Sequence, residues 1–352
     1  MKMRFTRLIA TFMTALAFLP ACERASKELV STTYTNPVIA HNCADPTILD
    51  DRERTGWFYA YSTQVGKNVV PKGANLPIYR SKDMVNWEYV RDGFTERPSW
   101  EPKGRVWAPD INYVDGHYVL YYSMGVWGDL IRSASGVAVS DSPTGPFEDK
   151  GMIVSYANTG VKNSIDANLV VDNGKKYLFW GSLGEGSGIW GIELSDDGLS
   201  VKPGAKATLI GADNIEGTYI IKRDGYYYCF NSKGSCCEGV KSTYHVIVSR
   251  SSSILGPYVS PDGQPLTDRS YKHTILKSSE DLLFVGPGHD SQIITDDAGQ
   301  DWMAYHAFHK ANNYDGRCML LDKIIWENGW PRFESVYPSE GGDGPKWKKA
   351  SE

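Results

Sequence analysis

The sequence carries no excess of positive charge: 37 Lys and Arg stand against 42 Asp and Glu, a formal net charge of −5. It therefore lacks the electrostatic footprint of a nucleic-acid binder. Its 6 cysteines include an adjacent pair, Cys236-Cys237, and their spacing fits no zinc site. Past the N-terminus no segment approaches the ~20 apolar residues of a membrane-spanning helix. No stretch there shows a convincing amphipathic helical period either. What is abundant points to β-structure. The 35 glycines imply many turns, and 21 Tyr with 11 Trp suit aromatic strands and, equally, a sugar-stacking surface.

The first 21 residues read as an export signal, with Lys2, Arg4 and Arg7 preceding an apolar run from Leu8 to Leu19. Leu19-Pro20-Ala21-Cys22 resembles the end of a bacterial lipoprotein signal. That resemblance implies cleavage before Cys22, a lipid on its sulfur, and residence in the envelope, periplasmic or at the cell surface. Residues 22–32 read as a polar tether and 33–345 as one domain, expected to be monomeric. With Cys22 lipidated, Cys43, Cys229, Cys236, Cys237 and Cys318 cannot all pair within the chain. They read mostly as small buried side chains, with room for one disulfide in an oxidising compartment.

The chain repeats one grammar five times: a polar opener, a β-rich run, a tight turn and an aromatic strand. Asp45-Pro46-Thr47 leads to Trp57-Phe58-Tyr59, and Asp110-Ile111-Asn112 leads through Asp115-Gly116 to Tyr118-Val119-Leu120. Asp166-Ala167-Asn168 leads through Asn173-Gly174 to Tyr177, Glu216-Gly217-Thr218 through Asp224-Gly225 to Tyr226, and His289-Asp290-Ser291 through Ala298-Gly299 to Trp302. Asp-Gly and Asn-Gly between such runs are strong hairpin signals. Three to four strands per repeat predict an all-β, five-bladed β-propeller. In that architecture each blade's first strand lies nearest the axis, so the openers ring the mouth of one channel. A lone Asp before a strand is usually a turn cap, and Asp110, following Trp107-Ala108-Pro109, reads first as that. Several acids in register repel and desolvate one another, which points to acid–base chemistry or cation binding.

Ala44-Asp45-Pro46, Trp107-Ala108-Pro109-Asp110, Ser164-Ile165-Asp166, Ile215-Glu216-Gly217, Cys236-Cys237-Glu238-Gly239, Ser242-Thr243-Tyr244 and Gly286-Pro287-Gly288-His289 together resemble glycoside hydrolase family 43, and within it the endo-α-1,5-L-arabinanases. The resemblance spans nearly all of residues 36–340. It implies an inverting glycosidase acting on plant arabinan, with Asp45 as general base, Asp166 as the residue that orients the acid and raises its pKa, and Glu216 as general acid. It also implies a cation, usually calcium, held through water at His289 on the axis, and no organic cofactor. Ala167, where relatives often have proline, and Gly217, where others have alanine or serine, depart from the pattern and bear on sugar contacts.

Substrate contacts are expected from Trp107, Asp110, Asn163, Ser164 and Cys237. His41 reads equally as a pocket or a loop residue, Trp180 more as packing than as a sugar platform, and Arg317 more as a surface arginine than as a partner of the acids. Two other readings of the chain remain. One is an exo-acting α-L-arabinofuranosidase or β-xylosidase on the same fold. The other is a non-catalytic glycan-binding lipoprotein, which the presence of all three acids disfavours.

Overall fold

The computed structural model describes residues 28–311 and 316–349. The expected signal segment, Cys22 and the start of the tether lie outside them. The chain opens with β1 (Leu29–Thr35). Blade one then comprises β2 (Thr47–Asp50), β3 (Phe58–Tyr61), β4 (Pro77–Ser81) and β5 (Trp87–Asp92). Blade two has β6 (Arg105–Val114), β7 (His117–Gly125), β8 (Ala134–Ser140) and β9 (Glu148–Val154). Blade three has β10 (Asn168–Asp172), β11 (Lys175–Trp180), β12 (Ile189–Glu193) and β13 (Thr208–Gly211). Blade four has β14 (Ile215–Arg223), β15 (Tyr226–Lys233), β16 (His245–Ser251) and β17 (Thr274–Leu276). Blade five has β18 (Phe284–Gly288), β19 (Ile293–Thr295), β20 (Asp301–His309), β21 (Arg317–Glu327) and β22 (Trp330–Phe333). Each blade is an antiparallel sheet with its strands in chain order, except that both β18 and β19 pair with β20. This is the five-bladed propeller that the repeats predict.

The hairpin dipeptides behave as their chemistry dictates. Asp115-Gly116, Asn173-Gly174 and Asp224-Gly225 all have positive φ at both positions, the turn whose twist matches the flanking strands. The hydrophobic core is divided into interblade slabs. Between blades one and two, Tyr59, Tyr61 and Leu76 meet Val106, Leu120 and Tyr122. Between two and three, Val119 and Tyr121 meet Leu178 and Trp180. Trp180 is fully buried there, so it packs blades and stacks no sugar.

Closure uses the N-terminal segment. Ile39 bridges Met319, and the Cys43 amide donates to the Arg317 carbonyl, seating residues before blade one against blade five. Outside this, β1 pairs with β23 (Gly341–Lys348). The expected tether of residues 22–32 is therefore too long. From Leu29 the chain is already strand, because β23 offers its backbone partners. The folded unit likewise runs past residue 345, to Lys348.

Candidate active site

Each blade enters its innermost strand through one residue in the left-handed region. These are Asp45, Ala108, Asp166, Gly217 and His289, with φ of 54°, 40°, 58°, 59° and 52°. Asp tolerates this conformation because its short polar side chain bonds locally. At Gly217 a Cβ would lie 3.1 Å from the His289 ring, so glycine leaves that ring room. The structural register thus differs from the sequence repeat: Asp110 lies two residues beyond its blade's entry residue and Glu216 one before. Strand irregularities between Trp107 and Asp110 and between Glu216 and Tyr219 absorb the offset.

The entry amides are held in a cyclic pattern by the end of the preceding blade's second strand. Ala108 N–H donates to Thr63 Oγ1 (2.9 Å), Asp166 N–H to Ser123 Oγ (3.0 Å), His289 N–H to Ser232 Oγ (2.8 Å) and Asp45 N–H to His306 Nδ1 (3.1 Å). The blade-four junction departs from it. The Gly217 amide donates to Asp166 Oδ2 (3.2 Å), and Ser182 of blade three donates instead to the Glu216 carboxylate.

Three of the entries and Glu216 converge on one cleft of about 340 Å³. Asp45 Oδ1 lies 2.8 Å from Arg317 Nη1, 3.2 Å from His306 Nδ1 and 3.4 Å from His289 Nδ1, and Thr63 Oγ1 donates to Oδ2 (2.5 Å). Burial pushes the Asp45 carboxyl up, but the Arg317 guanidinium outweighs it and holds the group well below the usual carboxylate range. Burial pushes Glu216 up as well and here prevails, so the group sits above its usual value, with the Asp45 charge adding to the rise. Hydrogen bonds from Ser182 and Tyr244, the latter 3.0 Å to Oε1, oppose it in part. Asp166 is also raised, by burial first and then by the charge of Glu216. The Asp166–Glu216 pair therefore retains a proton where Asp45 has none. One carboxylate and one carboxylic acid in a single cleft is the division of labour that glycoside hydrolysis requires.

A family model, "Glycosyl hydrolases family 43", matches residues 34–331. The chain belongs to this family. It is 32% identical, over 80% of its length and 84% of the relative's, to a protein of Cellvibrio japonicus named an extracellular exo-α-(1→5)-L-arabinofuranosidase. It is 31% identical, over 82% and 87%, to an extracellular endo-α-(1→5)-L-arabinanase of Bacillus subtilis. The solved structure of a Cellvibrio cellulosa α-L-arabinanase complexed with arabinohexaose superposes with a TM-score of 0.73 at 28% identity, covering 84% of this chain and 96% of that one.

Among the family 43 expectations, Asp45, Asp166, Glu216, His289, Trp107 and Cys237 all line the cleft. Cys236 and Cys237 are joined to each other, forming one wall, while Cys43, Cys229 and Cys318 are free and buried. Three expected contacts lie elsewhere. Asp110 sits below the mouth, where its carboxylate accepts from Asn112, Asn168, Leu169 and Gln292 and has no capacity left for sugar. Asn163 donates to the Leu183 carbonyl, and Ser164 is enclosed between the Val161 carbonyl and the Trp180 indole. Neither lines the cleft; Ile165, the next residue, does. His41 is exposed outside it.

Arg317, which reads in the sequence as a surface residue, is instead the principal partner of Asp45. Thr63, Ser182, Tyr244, His306 and Trp127 are functional-site residues that sequence reasoning misses. For three of them a signal was present: Ser182 and His306 end the aromatic strand of their repeats, and Tyr244 closes the Ser-Thr-Tyr motif. Trp127, 78% exposed, stands edge-on to Trp107 and extends the aromatic wall.

Proposed function

We propose that this family 43 enzyme is an exported, inverting endo-α-1,5-L-arabinanase. The observation that carries the reading is the opposite tuning of two buried carboxyls in one cleft, Asp45 held below the usual carboxylate range and Glu216 above it. Asp45 accepts a proton from water as that water attacks the anomeric carbon. Glu216 gives its proton to the glycosidic oxygen as the bond from carbon to that oxygen breaks. Asp166 holds the Gly217 amide and so positions the acid's backbone. Once Glu216 has lost its proton, the Ser182 and Tyr244 hydroxyls donate to the carboxylate left behind. Trp107 and Trp127 on one side and the Cys236–Cys237 disulfide on the other offer apolar faces to furanose rings. Arabinan as substrate is supported by the names of the relatives, and export by the word extracellular in both of theirs.

Debranched arabinan, branched arabinan and xylan, followed by product sizing, test the substrate and the mode of attack. A ladder of oligosaccharides early in the reaction marks endo action. A single small product marks the exo mode, the second reading, which the Cellvibrio japonicus relative favours. A product that retains the anomeric configuration by NMR would exclude Asp45 as a base acting on water. Loss of labelled fatty acid on Cys22→Ala would support the lipid anchor that the N-terminal motif suggests.

A cation at the axis belongs to the same proposal. Among the described residues no three His, Cys, Asp or Glu side chains gather to ligate a metal directly. The donors fit a hydrated ion instead. His289 and Asp290 line a narrow void beneath the cleft, and both Asp290 carboxylate oxygens are buried without a hydrogen-bond partner. His289 and Asp290 would hold such an ion, calcium or another, and it would supply positive charge beside the carboxylate ring. A chelator should then lower the melting temperature, with calcium restoring it. An unchanged melting temperature and an ion-free protein by elemental analysis would remove the ion.

A further inference from the structure

Four blades carry a small hydroxyl at or just past the last residues of the strand that pairs with the innermost one: Thr63, Ser123, Ser182 and Ser232. Blade five places His306 there. Three of the hydroxyls accept the entry amide of the next blade, and His306 does the same for Asp45. A serine would satisfy that amide, so an imidazole at this position calls for another reason. Its ring stacks nearly parallel to that of Tyr244, centroids 5.6 Å apart and planes 7° from parallel. Both side chains are enclosed, His306 at 0% and Tyr244 at 1% exposure. The Tyr244 hydroxyl donates to Glu216 Oε1.

The neighbouring backbone is cut to fit this stack. At Gly288 a Cβ would stand 2.4 Å from the Tyr244 ring, and at Gly286 it would stand 2.6 Å from Ser242 Cβ. Only glycine lets β18 pass flat behind the tyrosine. The Gly-Pro-Gly-His and Ser-Thr-Tyr motifs, far apart in sequence, thus build one object.

We propose that Tyr244 and His306 are a pair of positioning residues that fix the general acid and the general base relative to each other from beneath the cleft. The proposal rests on the assignment of Glu216 as acid and Asp45 as base. Tyr244 orients the Glu216 carboxyl through its hydroxyl. His306 fixes the left-handed backbone of Asp45 through the amide. The stacked rings join the two halves, so the separation of the reacting carboxyls is set by a rigid aromatic contact rather than by two independent loops.

Two substrates that differ in leaving group separate this role from a merely structural one. Arabinan needs its leaving oxygen protonated; a nitrophenyl arabino-oligosaccharide scarcely does. Tyr244→Phe keeps the ring and removes the hydroxyl. It should lower kcat on arabinan ~10- to 100-fold, the scale of impaired acid catalysis, and on the nitrophenyl substrate less than ~3-fold, with KM nearly constant on both. His306→Phe keeps a ring and removes the nitrogen. It should lower kcat by a similar factor on both substrates, because the base acts on water in either case. His306→Asn, whose side-chain oxygen can still accept the Asp45 amide, should recover part of that loss.

Removing both contacts together, in Tyr244→Phe with His306→Phe, should cost less than the product of the single losses if the stack couples the two halves. Equal losses on both substrates for Tyr244→Phe would overturn the proposal, as would His306 variants that shift only the melting temperature. If the His306 variants fail to fold, the leaving-group signature of Tyr244→Phe still decides. Glu216→Gln is the control. If it shows no leaving-group dependence, the acid assignment falls, and a wild-type enzyme inert on arabinan but active on the aryl substrate displaces the arabinan reading alone.

Discussion

Two rings of polar side chains surround the propeller axis, one at the mouth and one a few residues deeper, and they solve opposite problems. At the mouth, Asp45, Asp166, Glu216 and His289 face a cleft with their charges only partly compensated. Below it, polar groups close a complete circuit through all five blades. Thr47 accepts from the Ile111 amide, Asp110 from Asn168 and Leu169, and Asn168 from the Ile220 amide. The Tyr219 hydroxyl accepts from the Ile293 amide, and Gln292 returns the circuit to Thr47 and Ile48. Both rings bury carboxylates. The lower one spends its acid on hydrogen bonds and gains rigidity; the upper one keeps its acids free for protons. The lesson is that burial of an acid does not mark function. What marks it is lone pairs and protons left over after the fold has been satisfied.

That contrast breaks if an upper-ring acid proves structural. Glu216→Gln and Asp45→Asn should each lower kcat by ~10²- to 10⁴-fold, the scale of a lost acid or base, while affinity for arabino-oligosaccharides by calorimetry stays nearly constant. Glu216→Gln should not lower the melting temperature, because it removes a carboxyl that burial disfavours, whereas Asp45→Asn should lower it, because the Arg317 ion pair is lost. An Asp110→Ala change should do the reverse. It orphans several buried N–H donors at ~1–3 kcal/mol each, so a loss of about 3–4 kcal/mol in denaturant titrations is expected, with kcat of the folded fraction almost unaltered. A collapse of kcat with intact stability would move Asp110 to the upper ring.

The pH dependence sharpens the same division. Burial pushes the Asp110 carboxyl up to about 6. The native state therefore binds this proton more readily than the unfolded chain does. Its contribution to stability is present below the unfolded value and is lost as pH climbs from about 4 through 6, by up to about 3 kcal/mol. Asp110→Asn should flatten that part of the stability profile, and an unchanged slope would assign it to another group. For kcat/KM the signs differ between the proposed base and the proposed acid. Asp45, held low, should carry the acid limb below the usual carboxylate range, and Glu216, held high, should set the alkaline limb above it. The smallest expected effect is at the rim. Trp127→Ala should raise KM for long oligosaccharides up to ~10-fold, the value of one aromatic stack, and leave short aryl substrates nearly untouched.

Much of this was legible from sequence. The repeat announced the five blades, and Asp45, Asp166 and His289 open repeats at equivalent places because the left-handed entry favours Asp, Gly and a few polar residues. Asp110 and Glu216 looked equivalent to them and are not, since a bulge adds residues without altering the look of the motif. Asn163 and Ser164 closely precede Asp166 in sequence but turn into the backbone, which adjacency cannot reveal. Arg317 was unreadable for a different reason. An arginine at the start of a strand is ordinary until the closure of the ring brings blade five beside blade one.

By itself, the sequence determined the fold class, the blade count and the hairpin turns, because these depend on local chemistry repeated at intervals, while the resemblance to family 43 singled out three acids among the repeat openers. Only the tertiary structure decided which acids keep a proton and which lose it. That depends on partners such as Arg317, His306, Ser182 and Tyr244, which lie far from the acids along the chain or in another blade and act only across a few ångströms of buried space, where charge and hydrogen bonding are weakly screened.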